Sequence, residues 1–253
     1  MHRIFVLCFF IWVARAASAD WHVVRAADDP SAVVTLVHRH VDLEQSETGK
    51  QATLDLALFS ASSCRLRVID NPDGSSNLFA AMRRASGVLA AVNGGYFDEH
   101  FTPIGLRLID GKTTSRLAHG RLLTGVIASN GITQIFRVRE FSPHRNWSAA
   151  VECGPLLIEL ARPVRGLEST RAARRTFAAT GSKDRVALGF CPEATLAELA
   201  NILATPLGDF KIERALNLDG GSSCAFWFKG NDGRVVYYPE EKTVRDFVAV
   251  ASR

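Results

Sequence analysis

The sequence predicts an α+β fold with a single domain, built on a large, mainly antiparallel β-sheet and a few helices. Three observations indicate it. Many short stretches alternate apolar and polar residues, turn sequences of Asn, Asp and Gly separate them, and only two segments have the apolar spacing of a helix. No linker rich in Pro, Gly or Ser divides the chain. We therefore expect one domain over residues 51–253.

Residues 1–19 have the pattern of a secretory signal peptide. A short basic start precedes an apolar run at 4–14, and Ala17-Ser18-Ala19 supplies the small residues that signal peptidase recognises. The run is eleven residues long, well short of the roughly 20 that a membrane-spanning helix needs. We therefore expect a cleaved signal, a periplasmic or secreted mature protein, and no integral membrane anchor.

The composition of the mature chain excludes some partners and permits cross-links. Cleavage removes Arg3 and Arg15, so the formal net charge falls from +4 to about +2. A surplus this small does not indicate a nucleic-acid partner. An even number of cysteines in an oxidising compartment permits two disulfides with three possible pairings. These cysteines are Cys64, Cys153, Cys191 and Cys224.

Strand and turn signals follow one another along most of the chain. Residues 20–50 are weakly patterned, with one strand expected at Val33–Val37, and the order of this segment is left open. Beyond them, alternating apolar residues predict strands around 54–58 and 66–68. Hairpins are predicted at three turn sequences between apolar runs: Asp110-Gly111, Asn130-Gly131 and Asn231-Asp232-Gly233.

Two helices interrupt the strands. The first is expected to run from a serine cap, Ser75 or Ser76, to about Arg84. The second is predicted after a capping box formed by Thr195 and Glu198, because the apolar residues that follow fall on one helical face. Each helix leads into a short apolar strand.

Two glycine-containing loops follow those strands, which are predicted at 88–92 and 214–218. They read Asn93-Gly94-Gly95-Tyr96-Phe97-Asp98 and Asn217-Leu218-Asp219-Gly220-Gly221-Ser222-Ser223. Paired glycines let a backbone approach a ligand, their amides can form a nest for an anion, and serine hydroxyls add donors. Asp98 and Asp219 would face one pocket if the two strands are neighbours. A turn with a local Asp cap explains either loop alone, whereas the matching flanks of both favour a site.

Several sequence elements, in order, resemble the phosphodiester glycosidase family over roughly residues 50–253. They are Asn93–Asp98 with Pro103–Leu106 and Gly111-Lys112, Cys153–Leu156, Arg175-Thr176, Thr195–Ala200, Asn217–Ser223 and Val244–Phe247. One departure is Cys224, which stands where the family commonly has a second Ser and becomes a candidate for a disulfide with Cys153 or Cys191. The resemblance implies a hydrolase that acts on a glycosyl phosphodiester or phosphorylated glycan.

The chemistry of such a substrate suggests roles for the loop residues. Cleavage of the anomeric C–O bond needs donors on the phosphate and a carboxylate that activates water or attacks the anomeric carbon. Asp219 is the first candidate and Asp98 the second, with a turn cap as the alternative for each. Arg175 is the candidate phosphate clamp, because guanidinium binds phosphate in a bidentate way, whereas Arg171 and Arg174 are assigned to a solvated basic face. The other candidate substrate contacts are Asn93, Gly94, Gly95, Tyr96, Asn217, Gly220, Gly221, Ser222 and Ser223.

Alternatives stay open at individual positions. Asn93 and Asn217 can bond sugar hydroxyls, orient the acids or satisfy loop backbone. Tyr96 can stack on a sugar ring or pack in the core. Glu152 follows an apolar strand and points either into the same cleft or away from it.

The sequence therefore predicts an exported enzyme that hydrolyses the sugar–phosphate bond of a glycosyl phosphodiester in an envelope or extracellular glycan. The alternatives are a non-catalytic binder of glycans or sugar phosphates, and a phosphodiesterase that cuts the P–O bond. No cofactor is required by the sequence, although Asp and Asn oxygens are suitable ligands for Ca²⁺ or Mg²⁺. The oligomeric state is left open.

Overall fold

The computed structural model describes residues 20–253, so the signal peptide predicted at 1–19 lies outside the described residues. The helices are α1 (Leu78–Arg84) and α2 (Leu196–Ala204). The strands are β1 (Trp21–Pro30), β2 (Leu36–Gln45), β3 (Gln51–Ser60), β4 (Cys64–Asp70), β5 (Val88–Asn93), β6 (Arg107–Ile109), β7 (Lys112–Ser115), β8 (Gly125–Ser129), β9 (Thr133–Arg137), β10 (Ala149–Cys153), β11 (Leu156–Glu159), β12 (Arg162–Pro163), β13 (Ala173–Gly181), β14 (Arg185–Ala194), β15 (Ile212–Asn217), β16 (Phe226–Lys229), β17 (Val235–Tyr238) and β18 (Asp246–Ser252). Neither helix is long and apolar enough to cross a membrane.

The strands form three antiparallel sheets. The large sheet has eight strands in the order β1-β2-β3-β14-β13-β15-β11-β12. Two smaller sheets have five strands each, in the orders β7-β6-β10-β8-β9 and β17-β16-β5-β18-β4. In the latter, β18 is inserted between β5 and β4, although it is the last strand along the chain. The predicted fold class is confirmed: one domain, largely β, with two helices.

The large sheet is covered on both faces. One face packs against both smaller sheets through a buried cluster that includes Phe59, Val92 and Val151. The opposite face packs against α2, whose buried side includes Leu199 and Leu203. Strands β5 and β15 therefore lie in different sheets that face each other, rather than as neighbours in one sheet.

The local signals for turns and helices were mostly correct. All three predicted hairpins are present, as β6–β7, β8–β9 and β16–β17. The Thr195 hydroxyl accepts the amide of Glu198 at 3.1 Å, as the capping sequence predicts. The first helix is capped by Asn77 instead of Ser75 or Ser76. Asn71 exchanges hydrogen bonds with the backbone of Ser76, which leaves the next residue to cap the helix.

Residues 20–50 are more regular than the sequence indicated. They form β1 and β2, and β2 pairs along its whole length with β3 of the large sheet. Residues 33–35 form the turn between β1 and β2, where a strand was expected. Strand β1 lies at the sheet edge with most of its residues exposed, so its apolar pattern is weak.

The expected disulfides are not formed. All four cysteines are buried free thiols. Cys191 faces α2 on one side of the large sheet, whereas Cys64, Cys153 and Cys224 lie in the core on its other side. A disulfide between Cys191 and any of the others would have to pass through the sheet. Burial raises the pKa of the Cys191 thiol to about 12.

A chain of titratable side chains crosses β2 and β3 on the inner face of the large sheet. Asp55 Oδ1 bonds both His38 Nε2 at 2.8 Å and His40 Nδ1 at 2.9 Å. The other nitrogen of His40 lies 3.2 Å from Asp42 Oδ1. Burial opposes the charge on His40, but the hydrogen bond to Asp55 and the charges of Asp55 and Asp42 outweigh it and raise the pKa of His40. Burial likewise opposes ionisation of Asp55, but the two histidines outweigh it and lower its pKa.

This cluster predicts a pH dependence of stability. The contribution of His40 is fully present below its unfolded pKa of about 6.5 and is lost as pH rises through the higher folded-state value. The contribution of Asp55 is present above about 3.8 and is lost as pH falls through its lowered folded-state value. We expect the midpoint temperature of thermal unfolding of the wild type to fall between pH 6 and 8. In His40→Gln this fall should be roughly 2–4 °C smaller, since a partly exposed ion pair is worth about 1 kcal/mol at most.

Thermal unfolding followed by circular dichroism at several pH values measures this difference. The matched control is His144→Gln, because His144 is exposed and makes no hydrogen bond within residues 20–253. Identical pH profiles for the His40 and His144 variants would contradict the assignment.

Candidate active site

The two glycine-containing loops meet where β5 and β15 end. The amide of Asp219 donates to the carbonyl of Gly94 at 3.1 Å, and Asn93 Nδ2 donates to the carbonyl of Asp219 at 2.7 Å. The predicted convergence is therefore present. Face-to-face packing of two sheets produces it, rather than the pairing of neighbouring strands on which the sequence argument depended.

The backbone of Asp219 is held from three sides. Besides Asn93, the hydroxyl of Thr176 donates to its carbonyl at 3.1 Å and the thiol of Cys224 at 3.7 Å. Asn93 is fully buried, and its Oδ1 accepts the amide of Ala225 at 3.1 Å and shares the single proton of the Thr176 hydroxyl with the Asp219 carbonyl. No atom of Asn93 is left for a sugar, so its role is to position the acid.

Asp219 is half-buried. Its Oδ1 accepts the amide of Gly220 at 2.9 Å. Burial raises the pKa of Asp219, and the charge of Asp246 adds to this shift. The Ser223 hydroxyl, the Gly220 amide and the charge of Arg107 oppose it. A carboxylate with a raised pKa is a stronger base than an exposed one, which suits proton abstraction from water.

A buried ion pair supports the first loop. Arg107 Nε donates to Asp246 Oδ2 at 2.6 Å, and both side chains are about 1% exposed. Asp246 accepts the amide of Gly95 at 3.1 Å through Oδ1 and the amide of Gly94 at 2.8 Å through its carbonyl. Arg107 Nη2 donates to the carbonyl of Tyr96 at 3.1 Å. The amides of Gly94 and Gly95 are thus occupied, which corrects the expectation that they form an anion nest.

The ion pair also explains why these two positions are glycines. A Cβ on Gly94 would overlap Asp246 Oδ1 and lie 2.9 Å from the carbonyl oxygen of Asp246. A Cβ on Gly95 would overlap the guanidinium of Arg107. Sequence reasoning missed the pair because buried charges in strands have no periodic signal. The only clue was that both residues lie in or beside segments that resemble the family.

The second loop leaves its donors available. Gly221 has φ +65°, a backbone conformation that glycine readily adopts, and its Cα faces open space. The amides of Gly221 and Ser222 have no acceptor within residues 20–253. Ser222 is half-buried, and its carbonyl accepts the amides of Glu241 and Lys242. The anion-binding capacity predicted for both loops therefore lies in this one.

Backbone carbonyls hold Arg175 along one edge of its guanidinium. Its Nε donates to the carbonyl of Ala194 at 3.0 Å and its Nη2 to the carbonyl of Arg171 at 2.8 Å. Nη1, which lies beside Gly220, and the second N–H of Nη2 have no acceptor within residues 20–253, so the phosphate clamp stays a prediction. Burial lowers the pKa of Arg175. Arg174, assigned to a solvated face, instead donates to the carbonyls of Cys224 and Pro239.

Tyr96 and Asn217 form one wall of the site. The Tyr96 hydroxyl donates to the carbonyl of Gly154 at 2.6 Å, and Asn217 Nδ2 donates to the same oxygen at 3.1 Å. Burial raises the pKa of Tyr96, and the charges of Cys153 and Asp219 add to the effect. Asn217 is 2% exposed, and its Oδ1 is buried without a hydrogen-bond partner. Both side chains support the wall rather than extend from it.

Two further carboxylates do not join the site. Asp98 Oδ1 accepts the amides of His100 at 2.9 Å and Thr102 at 2.8 Å, and these backbone bonds lower the pKa of Asp98. The structure therefore supports the turn cap for Asp98 and gives no support to a catalytic role. Glu152 is fully buried and accepts the amides of Leu106 and Ala118. Its neighbours along β10, Val151 and Cys153, face the inner core, so Glu152 points to the opposite side.

Other concave regions and metal-type clusters do not coincide with Asp219. Two surface clefts of about 830 and 610 Å³ are lined by residues of other regions, around Arg214 and around Trp227. Within residues 20–253, no three His, Cys, Asp or Glu side chains are arranged to hold a metal ion. That no cofactor is required, with Ca²⁺ or Mg²⁺ as the suitable ions, stays a prediction.

A half-buried carboxylate of raised pKa lies among backbone and arginine donors where two sheets meet, which suits a hydrolase of the glycosidase type. Residues 86–251 match the sequence model of the phosphodiester glycosidases. The chain belongs to the phosphodiester glycosidase family, as the resemblance implied. No curated protein matches the sequence.

Solved structures show the same fold. The zebrafish N-acetylglucosamine-1-phosphodiester alpha-N-acetylglucosaminidase catalytic domain, auto-inhibited by its pro-peptide, superposes with a TM-score of 0.65 at 16% identity, over 92% of this chain and 88% of that one. A Burkholderia pseudomallei protein, named provisionally as an exported protein, superposes with a TM-score of 0.60 at 13% identity, over 81% of this chain and 75% of that one.

Proposed function

We propose that this protein hydrolyses the anomeric C–O bond of a glycosyl phosphodiester, with Asp219 as the reacting carboxylate. The observation that carries the proposal is the placement of Asp219. Three donors hold its backbone, burial raises its pKa, and the free donors of Gly221, Ser222 and Arg175 Nη1 lie beside it. Asp246 is bound to Arg107, so it serves to hold the loop rather than to react.

The reaction needs a carboxylate that acts on water or on the anomeric carbon, but it does not need a strong general acid. Asp219 takes a proton from water as the water oxygen bonds to the anomeric carbon, and the C–O bond to phosphate breaks with its electron pair on oxygen. A phosphate monoester is a good leaving group that is stable as an anion, so weak donors suffice to stabilise it. If Asp219 instead attacks the anomeric carbon directly, water displaces it from the sugar in a second step.

We further propose that the mature protein is periplasmic or secreted and acts on an envelope or extracellular glycan. The sequence at 1–19 supports export, and a protein of similar fold carries a name that refers to export. The name of the zebrafish enzyme suggests an α-N-acetylglucosaminyl phosphodiester as the first substrate to test.

Hydrolysis in heavy-oxygen water distinguishes the proposed reaction from its alternatives. We expect the mature protein to release sugar and phosphate monoester, with the label in the sugar. Mass spectrometry of both products measures its position. Label in the phosphate would indicate P–O cleavage and contradict the proposal. Binding without turnover across a panel of glycosyl phosphodiesters would favour the non-catalytic alternative.

A further inference from the structure

A basic loop adjoins the Tyr96 wall of the site. Residues 116–122 lie in the connection between β7 and β8, and the amide of Ala118 donates to the buried Glu152 at 2.9 Å. At the other end, the amide of Thr124 donates to the carbonyl of Cys153 at 3.1 Å. The carbonyl of Leu122 lies so close to Gly154 that a Cβ there would overlap it. Since Gly154 accepts the Tyr96 hydroxyl, the loop is fixed directly outside that wall.

The loop carries cations that nothing else in the fold uses. Arg116, His119 and Arg121 are exposed, and none of them makes an ion pair or hydrogen bond within the part of the chain that the structure describes. The sequence from 111 to 139 contains no Asp or Glu. Most charge on this stretch is therefore uncompensated, although the whole mature chain is close to neutral.

The anchoring of the loop indicates more than a solvated surface. Glu152 is 0% exposed, and one of its oxygens accepts the amides of both Leu106 and Ala118 while the other has no partner. A buried carboxylate with an unsatisfied oxygen is destabilising. Here Glu152 fixes the backbone of a loop whose basic side chains are exposed.

The arginines inside the site are largely engaged. Arg107 is paired with Asp246, and Arg175 donates two of its N–H groups to carbonyls. A phosphodiester needs charged donors on its phosphate, and an anionic aglycone needs more. The 116–122 loop, fixed outside the Tyr96 wall, supplies unpaired cations on that side.

We propose that Arg116 and Arg121 recognise the anionic, aglycone side of the substrate, and that the substrate class is glycosyl phosphodiesters whose aglycone carries further negative charge. This inference rests on the proposed function. The arginines act through binding and not through the chemical step. The loop therefore sets substrate specificity, while Asp219 sets the rate.

The test is the double variant Arg116→Ala/Arg121→Ala, compared with Arg162→Ala/Arg165→Ala. Arg162 and Arg165 are an equally exposed pair at the edge strand β12 and its following turn, and they make no ion pair within residues 20–253. With a glycosyl phosphodiester that has a phosphorylated aglycone, we expect KM to rise roughly 10- to 100-fold in the loop variant, with kcat within about threefold of wild type. Raising the salt concentration should increase KM in the wild type and control more than in the loop variant.

A second measurement separates this proposal from the proposed reaction. Calorimetric titration of inorganic pyrophosphate into Asp219→Asn protein, with and without the two loop substitutions, measures anion binding without turnover. Loss of at least tenfold in affinity with the loop substitutions supports the loop even if no glycosyl phosphodiester is hydrolysed. Unchanged KM together with unchanged pyrophosphate affinity would overturn the proposal, whatever the activity of the wild type.

Discussion

Asp219→Asn is expected to lower kcat by at least a hundredfold while the protein stays folded. The amide cannot take a proton from water or attack the anomeric carbon, and loss of a catalytic base or nucleophile has effects of this size. Its oxygen can still accept the Gly220 amide, so the loop should keep its conformation. Steady-state kinetics with a glycosyl phosphodiester measures the loss, and thermal unfolding reports on the fold.

The pH dependence of the wild type provides an independent reading of the same group. Burial raises the pKa of Asp219 above its ordinary value of 3.8. Because the ionised form is the reactive one, kcat/KM should fall as pH decreases, with a midpoint above 3.8. The matched control is Asp98→Asn, which removes a carboxylate from the first loop but leaves Asp219 intact. Unchanged kcat in Asp219→Asn would remove Asp219 from the mechanism, and equal losses in the two variants would show that the effect is not specific to Asp219.

Gly94→Ala is expected to reduce the free energy of unfolding by about 3–5 kcal/mol. The methyl group would occupy the position of Asp246 Oδ1 and force that carboxylate away from Arg107. Separating a fully buried ion pair leaves two uncompensated charges, and losses of this size follow. The φ of Gly94 is not in the left-handed region, so backbone strain is not the cause. Urea denaturation measures the change.

Gly49→Ala is the matched control for this prediction. Gly49 has φ +69° and open space around its Cα, so alanine there tests backbone strain without a clash. A cost of about 1 kcal/mol is expected at Gly49. Comparable costs at the two positions would show that the ion pair is less rigid than its geometry indicates.

The sequence predicted the convergence of the two loops because both share one sequence pattern. In each, a helix and a short apolar strand precede an Asn, two glycines and an acid. Hairpin turns and the second helix cap were also predictable, since their signals involve residues close together along the chain. Asp219 was chosen as the first catalytic candidate because it lies within the most specific of these segments, and that role stays a prediction. Local signals were sufficient for the turns and the second helix cap, whereas the convergence arises from sheet packing that they did not indicate.

The remaining parts depend on contacts between distant residues. The Arg107–Asp246 pair joins residues 139 positions apart, and no spacing rule connects them. The glycines of the first loop were interpreted as ligand-binding, whereas they make room for this pair. Two carbonyls, of Ala194 and Arg171, take part of the donor capacity of Arg175, which its sequence position did not indicate. Such competition for hydrogen bonds appears only when the chain is folded.

The insertion of β18 between β5 and β4 has a consequence for when the enzyme first becomes active. Asp246, at the start of β18, holds the loop that abuts Asp219, so a growing chain has no complete catalytic centre until residues beyond 246 are available. Pairings between such distant segments are slow to form, because a long loop must close first. Synthesis and activity are therefore separated in time, and a prematurely terminated product would be inert rather than partly active.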